Sequence, residues 1–267
     1  MTKELPKISI ITPSYNQANF LEETILSVLN QGYENLEYII IDGGSNDGSV
    51  EIIEKYESRL AYWVSEPDNG QTHAINKGFK IATGELVAWM NSDDVFEAGS
   101  FHEVAKLSLN YPKTDVFTAD KIHINEQGKI IHTQRYGPYH LYTFANDKMA
   151  FCNQAAFWRS SVFSKIGYLD ENIQFAMDYE FFIRMGLNDL TFKHSPSFWG
   201  RQRYYSGTKT SDERWRNVLN QNRQEIDSKY GLKISSYLKL KSKVHRFAYY
   251  ILTGNLKYIF EKKQDGV

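Results

Sequence analysis

The chain has 267 residues, a length that fits one large α/β domain, or one domain with an appendage, and that can bury a substantial core. Its single cysteine, Cys152, rules out an intrachain disulfide, no apolar run is long enough to span a bilayer, no Asn-x-Ser/Thr sequon occurs, and Met1-Thr2-Lys3-Glu4 leads toward a strand and not a signal peptide, a combination expected of a cytoplasmic protein. The net charge of −1 conceals an asymmetry: residues 201–267 carry 15 Lys and Arg against 6 Asp and Glu, the first 200 carry 16 against 26, and the tail therefore suits either an anionic partner or a solvated helical surface.

Ile8-Ser9-Ile10-Ile11-Thr12 reads as a strand closed by Pro13. A helix follows, with Leu21, Ile25, Val28 and Leu29 on one face and Gly32 as its stop. Residues 36–41 form a second buried strand ending at Asp42-Gly43-Gly44-Ser45. Residues 49–56 read as a helix, 60–64 as a third strand, and 72–82 as a helix with Ile75, Phe79 and Ala82 on one face. The unbroken apolar run Leu86-Val87-Ala88-Trp89-Met90 is a strand buried on both faces, as in a parallel sheet. Beyond it the pattern predicts a helix over 99–110, a hairpin of 115–124 and 129–133 around Asn125-Glu126-Gln127-Gly128, and a strand over 153–158. A short helix from Ser160-Ser161 to Gly167, a helix over 178–187 and an extended segment over 191–199 come next. From residue 210 the pattern is helical, and Leu240, Val244, Phe247 and Ile251 recur at offsets of four, three and four as one apolar face.

This alternation with short connections predicts an α/β fold: a doubly wound, mostly parallel, Rossmann-like central sheet flanked by helices, with a C-terminal helical extension. Polar clusters close the strands at residues 14–16, 42–47, 66–68 and 91–94. In an open sheet such ends share one edge and make a ligand crevice.

The turn after the first strand contains no glycine, which excludes a dinucleotide fingerprint, and neither a P-loop nor a Gly-x-Ser-x-Gly elbow occurs. Residues 42–48 lack the ligand spacing and terminal glutamate of a calcium loop. The seven histidines show no ligand spacing. Asn91-Ser92-Asp93-Asp94 carries the most information. Adjacent carboxylates at a sheet edge are costly to desolvate unless neutralised, and a divalent cation carrying a phosphate group would neutralise them. The alternative is a surface turn in which Ser92 and Asp93 cap the next helix.

Taken together, Ile8 to Asn16, Ile41-Asp42-Gly43-Gly44-Ser45-Asn46-Asp47-Gly48-Ser49, Glu66-Pro67-Asp68-Asn69-Gly70-Gln71, Ala74-Ile75-Asn76-Lys77-Gly78 and Asn91 to Asp94 resemble the family-2 inverting glycosyltransferases of the GT-A fold. The resemblance spans residues 6–210. It implies a GT-A domain over 1–209, with a nucleotide-binding half over 1–95 and an acceptor half over 96–209, followed by a basic helical extension over 210–267. It further implies transfer of a sugar from a nucleotide-diphosphate donor, a UDP-sugar by expectation, to a glycan or lipid-linked acceptor in cell-surface polysaccharide synthesis, with Mn2+ or Mg2+ as cofactor.

Each matched residue has a physical job beside a plainer alternative. Pro13, Ser14, Tyr15 and Asn16 form the donor-side turn, where the Tyr15 ring can stack on a nucleobase or pack on the first helix. Asp42 can accept from a base N–H or a ribose hydroxyl, and the resemblance implies the base; Gly43 stands where the family has a second aspartate. Asp68 and Gln71 fall where family members touch nucleotide or donor sugar, or they simply make a Pro-Asp-Asn-Gly turn. Lys77 reaches a phosphate or sits exposed on its helix. Asn91 to Asp94 match the Asp-x-Asp-type metal motif, with Asn91 at its first acidic position. Asp93 is then the principal ligand, Asp94 lies beside it, and Ser92 belongs to the donor contacts. Asp178 matches the catalytic base or caps its helix, with Glu180 as the fallback base. Arg203 and Lys209 are phosphate clamps or solvated cations, and Tyr205 holds the family's histidine position. Trp158 lines the acceptor pocket or packs in the core.

Two other functions stay open. A sugar nucleotidyltransferase would want a Gly-rich basic loop after the first strand, which is absent. A sugar-nucleotide-binding protein without turnover is favoured by Gly43, Asn91 and Tyr205 and opposed by Asp178 with Asp93. No nucleic-acid recognition fold is evident. Lys239, Lys243 and Arg246 flank the apolar stripe of the tail, so that helix either lies peripherally on an anionic membrane at its cytoplasmic face or docks on the catalytic domain.

Overall fold

A computed structural model describes residues 4–147, 152–173, 175–206, 213–232, 235–252 and 254. Its elements, in order, are β1 (Ile8–Ser14), α1 (Ala18–Leu29), β2 (Leu36–Asp42), α2 (Ser49–Lys55), β3 (Tyr62–Ser65), α3 (Gln71–Ile81), β4 (Leu86–Trp89), β5 (Val95–Phe96) and α4 (Ser100–Asn110). There follow β6 (Val116–Asn125), β7 (Ile130–Gln134), α5 (Leu141–Asp147), β8 (Ala156–Arg159), α6 (Val162–Ile166), α7 (Met177–Leu187), β9 (Phe192–Tyr204), α8 (Glu213–Lys229) and α9 (Ser236–Leu252).

The strands form one sheet in the order β3-β2-β1-β4-β8-β6-β9-β5, with β7 paired to β6. The first four are parallel, as the alternation predicts. Their apolar runs face two cores. Ile8, Ile10, Leu86, Ala88 and Met90 pack with Leu21, Ile25 and Val28 of α1 and Phe101 and Val104 of α4. Ile11, Val87 and Trp89 pack on the other face with Ile75 and Phe79 of α3 and Phe181 and Phe182 of α7. Burial on both faces is why these segments show no polar alternation.

The second half is mixed. β8 runs antiparallel to both β4 and β6, while β9 pairs with β6 in parallel and with β5 antiparallel. The 115–133 hairpin appears as β6 and β7. Residues 153–155 form a 3-10 turn, so the expected strand at 153 starts at Ala156. β9 extends to Tyr204, well past 199, because its polar residues pair with Lys121 to Asn125 and such a segment has no apolar signature. Where β9 passes the 3-10 turn, a Cβ on Gly200 would stand 2.0 Å from the Gln154 carbonyl oxygen, so only glycine allows that approach. The two-residue β5 and the helix α5 carry no periodicity long enough to read.

The tail helices dock through polar anchors. Tyr179 Oη donates to Asp227 Oδ1 at 2.6 Å, tying α8 to α7. Tyr250 Oη donates to the Arg135 carbonyl at 2.8 Å, and the Ser235 amide donates to Asn146 Oδ1 at 3.1 Å, holding α9.

Candidate active site

The parallel register carries the polar strand ends to one edge. Ser14 pairs with Asp42, and Asp42 with Ser65. Trp89 pairs with Ile11, so the 91–94 turn emerges beside Ser14 and Tyr15. Around this edge lies a cleft of about 690 Å³. Pro13, Ser14, Tyr15, Asp68, Gln71, Ser92, Asp93 and Asp94 all line it, and so do Gly43, Asn91 and Tyr205.

At one end the Tyr15 ring is 62% exposed, an unusual state for a large aromatic side chain. A Cβ on Gly43 would stand 2.9 Å from Asp68 Oδ2 and 3.3 Å from Tyr15 Cδ2. The Asp68 carboxylate, fixed by the Gly70 amide at 2.7 Å, thus fills the space a side chain at position 43 would need.

At the other end a hydrogen-bond network fixes the 91–94 turn. Gln71 Nε2 donates to Asn91 Oδ1 at 2.9 Å, and Asn91 Nδ2 donates to Asp94 Oδ2 at 3.1 Å. Gln154 Nε2 donates to the same Asp94 oxygen at 2.7 Å, and the Arg203 amide donates to Oδ1 at 2.8 Å. Asp94 is buried, and desolvation first, then the adjacent Asp93 charge, push its pKa up to about 7. Asp93 is partly exposed on the cleft wall and accepts from Tyr205 Oη at 3.3 Å. Burial and the Asp93 charge push the Tyr205 pKa up to about 12, so the phenol stays neutral and acts as a donor.

No cluster of three or more His, Cys, Asp or Glu suited to a metal exists among the described residues. Asp93 with Asp94 behind it nevertheless suits Mn2+ or Mg2+, which take one or two carboxylates and complete their shells from phosphate and water. Desolvation and the Asp93 charge, which together raise Asp94, are what such a cation would offset. Asp93 and Asp94 are therefore the residues that would hold it.

Several expected contacts are corrected by the structure. Asp42 is fully buried: Oδ2 accepts from the Gly44 and Ser45 amides and Ser65 Oγ, and Oδ1 accepts from Ser45 Oγ. It shapes the 43–48 loop and is not a wall of the cleft, because those bonds fill its acceptor positions. Asn16, at φ 52, likewise braces that loop through Ser45 and the Asn46 amide and does not line the cleft. Lys77 pairs with Glu66 outside the cleft wall. The Arg203 guanidinium, 1% exposed, donates to the carbonyls of Asp93, Asn125 and Glu126 and pairs with Glu23, so it buttresses the turn and is no open clamp. Trp158 is fully buried among Phe79, Trp89 and Phe181, so it is core and not acceptor wall. Lys209 lies outside the described residues.

Asp178 occupies the second position of α7, not its cap, and its Oδ1 accepts from the Tyr179 amide at 2.8 Å. Its side chain is partly exposed and is not part of the cleft wall. Asn76 Nδ2 donates to the Leu169 carbonyl, and Thr72 Oγ1 contacts the Ile173 carbonyl and Met177 Sδ. These contacts dock the segment leading into α7, and Met177 at its start, on α3, whose Gln71 lines the cleft. Glu180 is buried and held by Arg184 and Tyr230, which removes it as a fallback base.

Residues 9–190 match the family model described as Glycosyl transferase family 2. The chain belongs to this family. A glycosyltransferase of Mycobacterium tuberculosis, itself uncharacterized, is 35% identical over 189 residues, covering 68% of this chain and 70% of its own. TuaG of Bacillus subtilis, a teichuronic acid biosynthesis glycosyltransferase by name, is 40% identical over 97 residues, 35% of this chain and 38% of its own. Among solved structures, S. aureus TarS 1–349 in complex with UDP-GlcNAc aligns at TM-score 0.66 and 18% identity over 97% of this chain and 77% of that one. This chain spans only 44% of a longer S. aureus TarS chain. The mannosyltransferase PcManGT from Pyrobaculum calidifontis, in complex with GDP-Man and Mn2+, aligns at 0.65 and 18% identity over 95% and 72%. At such identities the likeness is one of fold, the GT-A arrangement.

The sequence gives no sign of Gln17 and Gln202 on the cleft wall or of Gln154 behind it. Each acts through a partner far away in the chain, and an isolated glutamine has no pattern to betray it.

Proposed function

We propose that this chain is an inverting, metal-dependent glycosyltransferase that takes a nucleoside-diphosphate sugar, a UDP-sugar, as donor and a glycan or lipid-linked hydroxyl as acceptor. One observation carries the reading: an exposed aromatic ring, Tyr15, and a carboxylate, Asp93, line the same cleft at the parallel strand ends. That is where α/β sheets hold nucleotides. The Tyr15 face receives the base, with Asp68 beside it to accept a base or ribose hydrogen. Asp93, with Asp94 behind it, would hold the cation, which when bound would offset charge on the leaving diphosphate. Gln71 and Ser92 complete the donor side. Asp178 accepts the acceptor hydroxyl proton while that oxygen forms its bond to C1 opposite the diphosphate, and the C1–diphosphate bond breaks with its electron pair. The teichuronic acid in the name of TuaG supports a polysaccharide setting, and the sugar nucleotides held by the solved neighbours support the donor class.

Calorimetry with UDP, GDP and dTDP tests the donor site. UDP is expected to bind, and more tightly with Mn2+ than with EDTA; no binding of any of the three would end the reading.

A peripheral membrane position at the cytoplasmic face belongs to the same proposal. Among the described residues no helix is long and apolar enough to cross a membrane. While α9 is anchored by Tyr250, its other face leaves Tyr237, Leu240, Val244, Phe247 and Ile251 exposed beside the exposed Lys239, Lys241 and Lys243. The side chain of Arg246 lies outside the described residues. An apolar stripe between lysines suits an anionic bilayer, each lysine contributing about 1 kcal/mol near the surface. The protein is expected to sediment with phosphatidylglycerol vesicles and not with phosphatidylcholine vesicles, and Leu240→Ser with Phe247→Ser to stay in the supernatant. Equal sedimentation of that variant would show that α9 is not the contact.

A further inference from the structure

Lys121 on β6 is only 4% exposed, yet it makes no ion pair among the described residues. Its ammonium donates to the side-chain oxygen of Gln202 on β9. Tyr204 Oη donates to the same oxygen at 3.2 Å. The Tyr204 ring is itself held, stacked on His123 at 5.0 Å, and His123 Nε2 bonds Gln134 Oε1 at 2.8 Å. An ammonium has no acceptor capacity, so it decides which way the Gln202 carboxamide faces. Oε1 is turned to Lys121, and among the described residues Nε2 has no protein partner.

Gln202 lines the cleft. It is held beside the carboxylates from both sides, by the Val95–Arg201 pairing of β5 with β9 and by the Arg203 amide on Asp94. The cleft wall includes Asp68, Asp93 and Asp94, and its one cationic member among the described residues is Arg203, whose guanidinium is engaged elsewhere. A diphosphate entering this cleft meets carboxylates and needs donors to offset them.

Resting on the nucleotide-sugar reading above, we infer that Gln202 Nε2 donates to an oxygen of the donor's diphosphate and that Lys121 is the residue that positions it. The buried ammonium does two things. It fixes the amide so that its N–H groups are what Gln202 offers the ligand, and it polarises them while adding positive potential behind the cleft. A buried cation without a counter-ion weakens the free fold, so its benefit appears when an anion binds.

The test pairs UDP and GDP calorimetry in Mn2+ with thermal melting of the full chain. Lys121→Met is expected to melt at or above the wild type while binding UDP about tenfold more weakly, the scale of one hydrogen bond to a charged group. Gln202→Leu should show a similar loss without unfolding, since that side chain is part of the cleft surface. Gln202→Glu should melt higher, through a new pair with Lys121, and bind more weakly still. Lys121→Arg should retain most of the affinity. Unchanged affinity in Lys121→Met and Gln202→Leu, or a loss only in step with a lower melting temperature, overturns the inference. A wild type that binds neither nucleotide strikes the donor reading itself.

Discussion

Asp178→Asn is expected to lower kcat for sugar transfer by about 10³-fold and to leave the Kd for UDP within twofold of the wild type, roughly the effect of removing a general base. The substitution keeps the shape of the side chain. Its oxygen can still accept from the Tyr179 amide, the bond Asp178 makes at the start of α7, so the helix keeps that contact. What disappears is the capacity to take a proton. Asp178 is not part of the cleft wall that would hold the nucleotide, so donor affinity has no reason to change. Single-turnover assays with saturating donor, beside calorimetry, separate the two quantities. Equal turnover in the variant removes Asp178 as the base, and Glu180 cannot replace it because Arg184 and Tyr230 already hold its carboxylate.

Asp93→Ala should abolish the difference in UDP affinity between Mn2+ and EDTA, and kcat should fall by at least about 10²-fold, since Lewis-acid stabilisation is worth several kcal/mol. Its melting temperature should barely move. Asp93 is partly exposed on the cleft wall, so removing its carboxylate opens no buried cavity. Asp94→Asn should behave differently. Both Asp94 oxygens accept N–H bonds, from Asn91, Gln154 and the Arg203 amide. An amide would turn its own NH2 toward one of those donors, at a cost of about 1–3 kcal/mol. Its effect should therefore appear as a lower melting temperature. If Asp93→Ala kept its cation dependence while Asp94→Asn lost it, the ligand roles would be reversed.

The parallel half of the sheet and its crevice were legible in the chain. Ile8 to Ile11 and Leu86 to Met90 have to be apolar on both faces, because helices cover both. Parallel strands end on one edge, so Ser14, Tyr15, Asp68, Gln71 and the 91–94 turn reach one cleft although up to eighty residues separate them. That follows from strand direction alone.

What each polar side chain does there was not legible. Arg203 looks free in the sequence, but its guanidinium is held by Asp93 across 110 residues and by Glu23 across 180. Asp42 looks like a ligand contact, but Ser65 arrives from the neighbouring strand to occupy it. Trp158 became core because β8 inserts antiparallel between β4 and β6, a reversal that no periodicity records. Lys121 and Gln202 meet because β6 and β9 pair in parallel with a shifted register. Periodicity and strand order report which face a residue is on and at which edge it ends. Whether its charge or amide is satisfied depends on partners that only the closed sheet brings within 3 Å or so, the range over which a hydrogen bond acts.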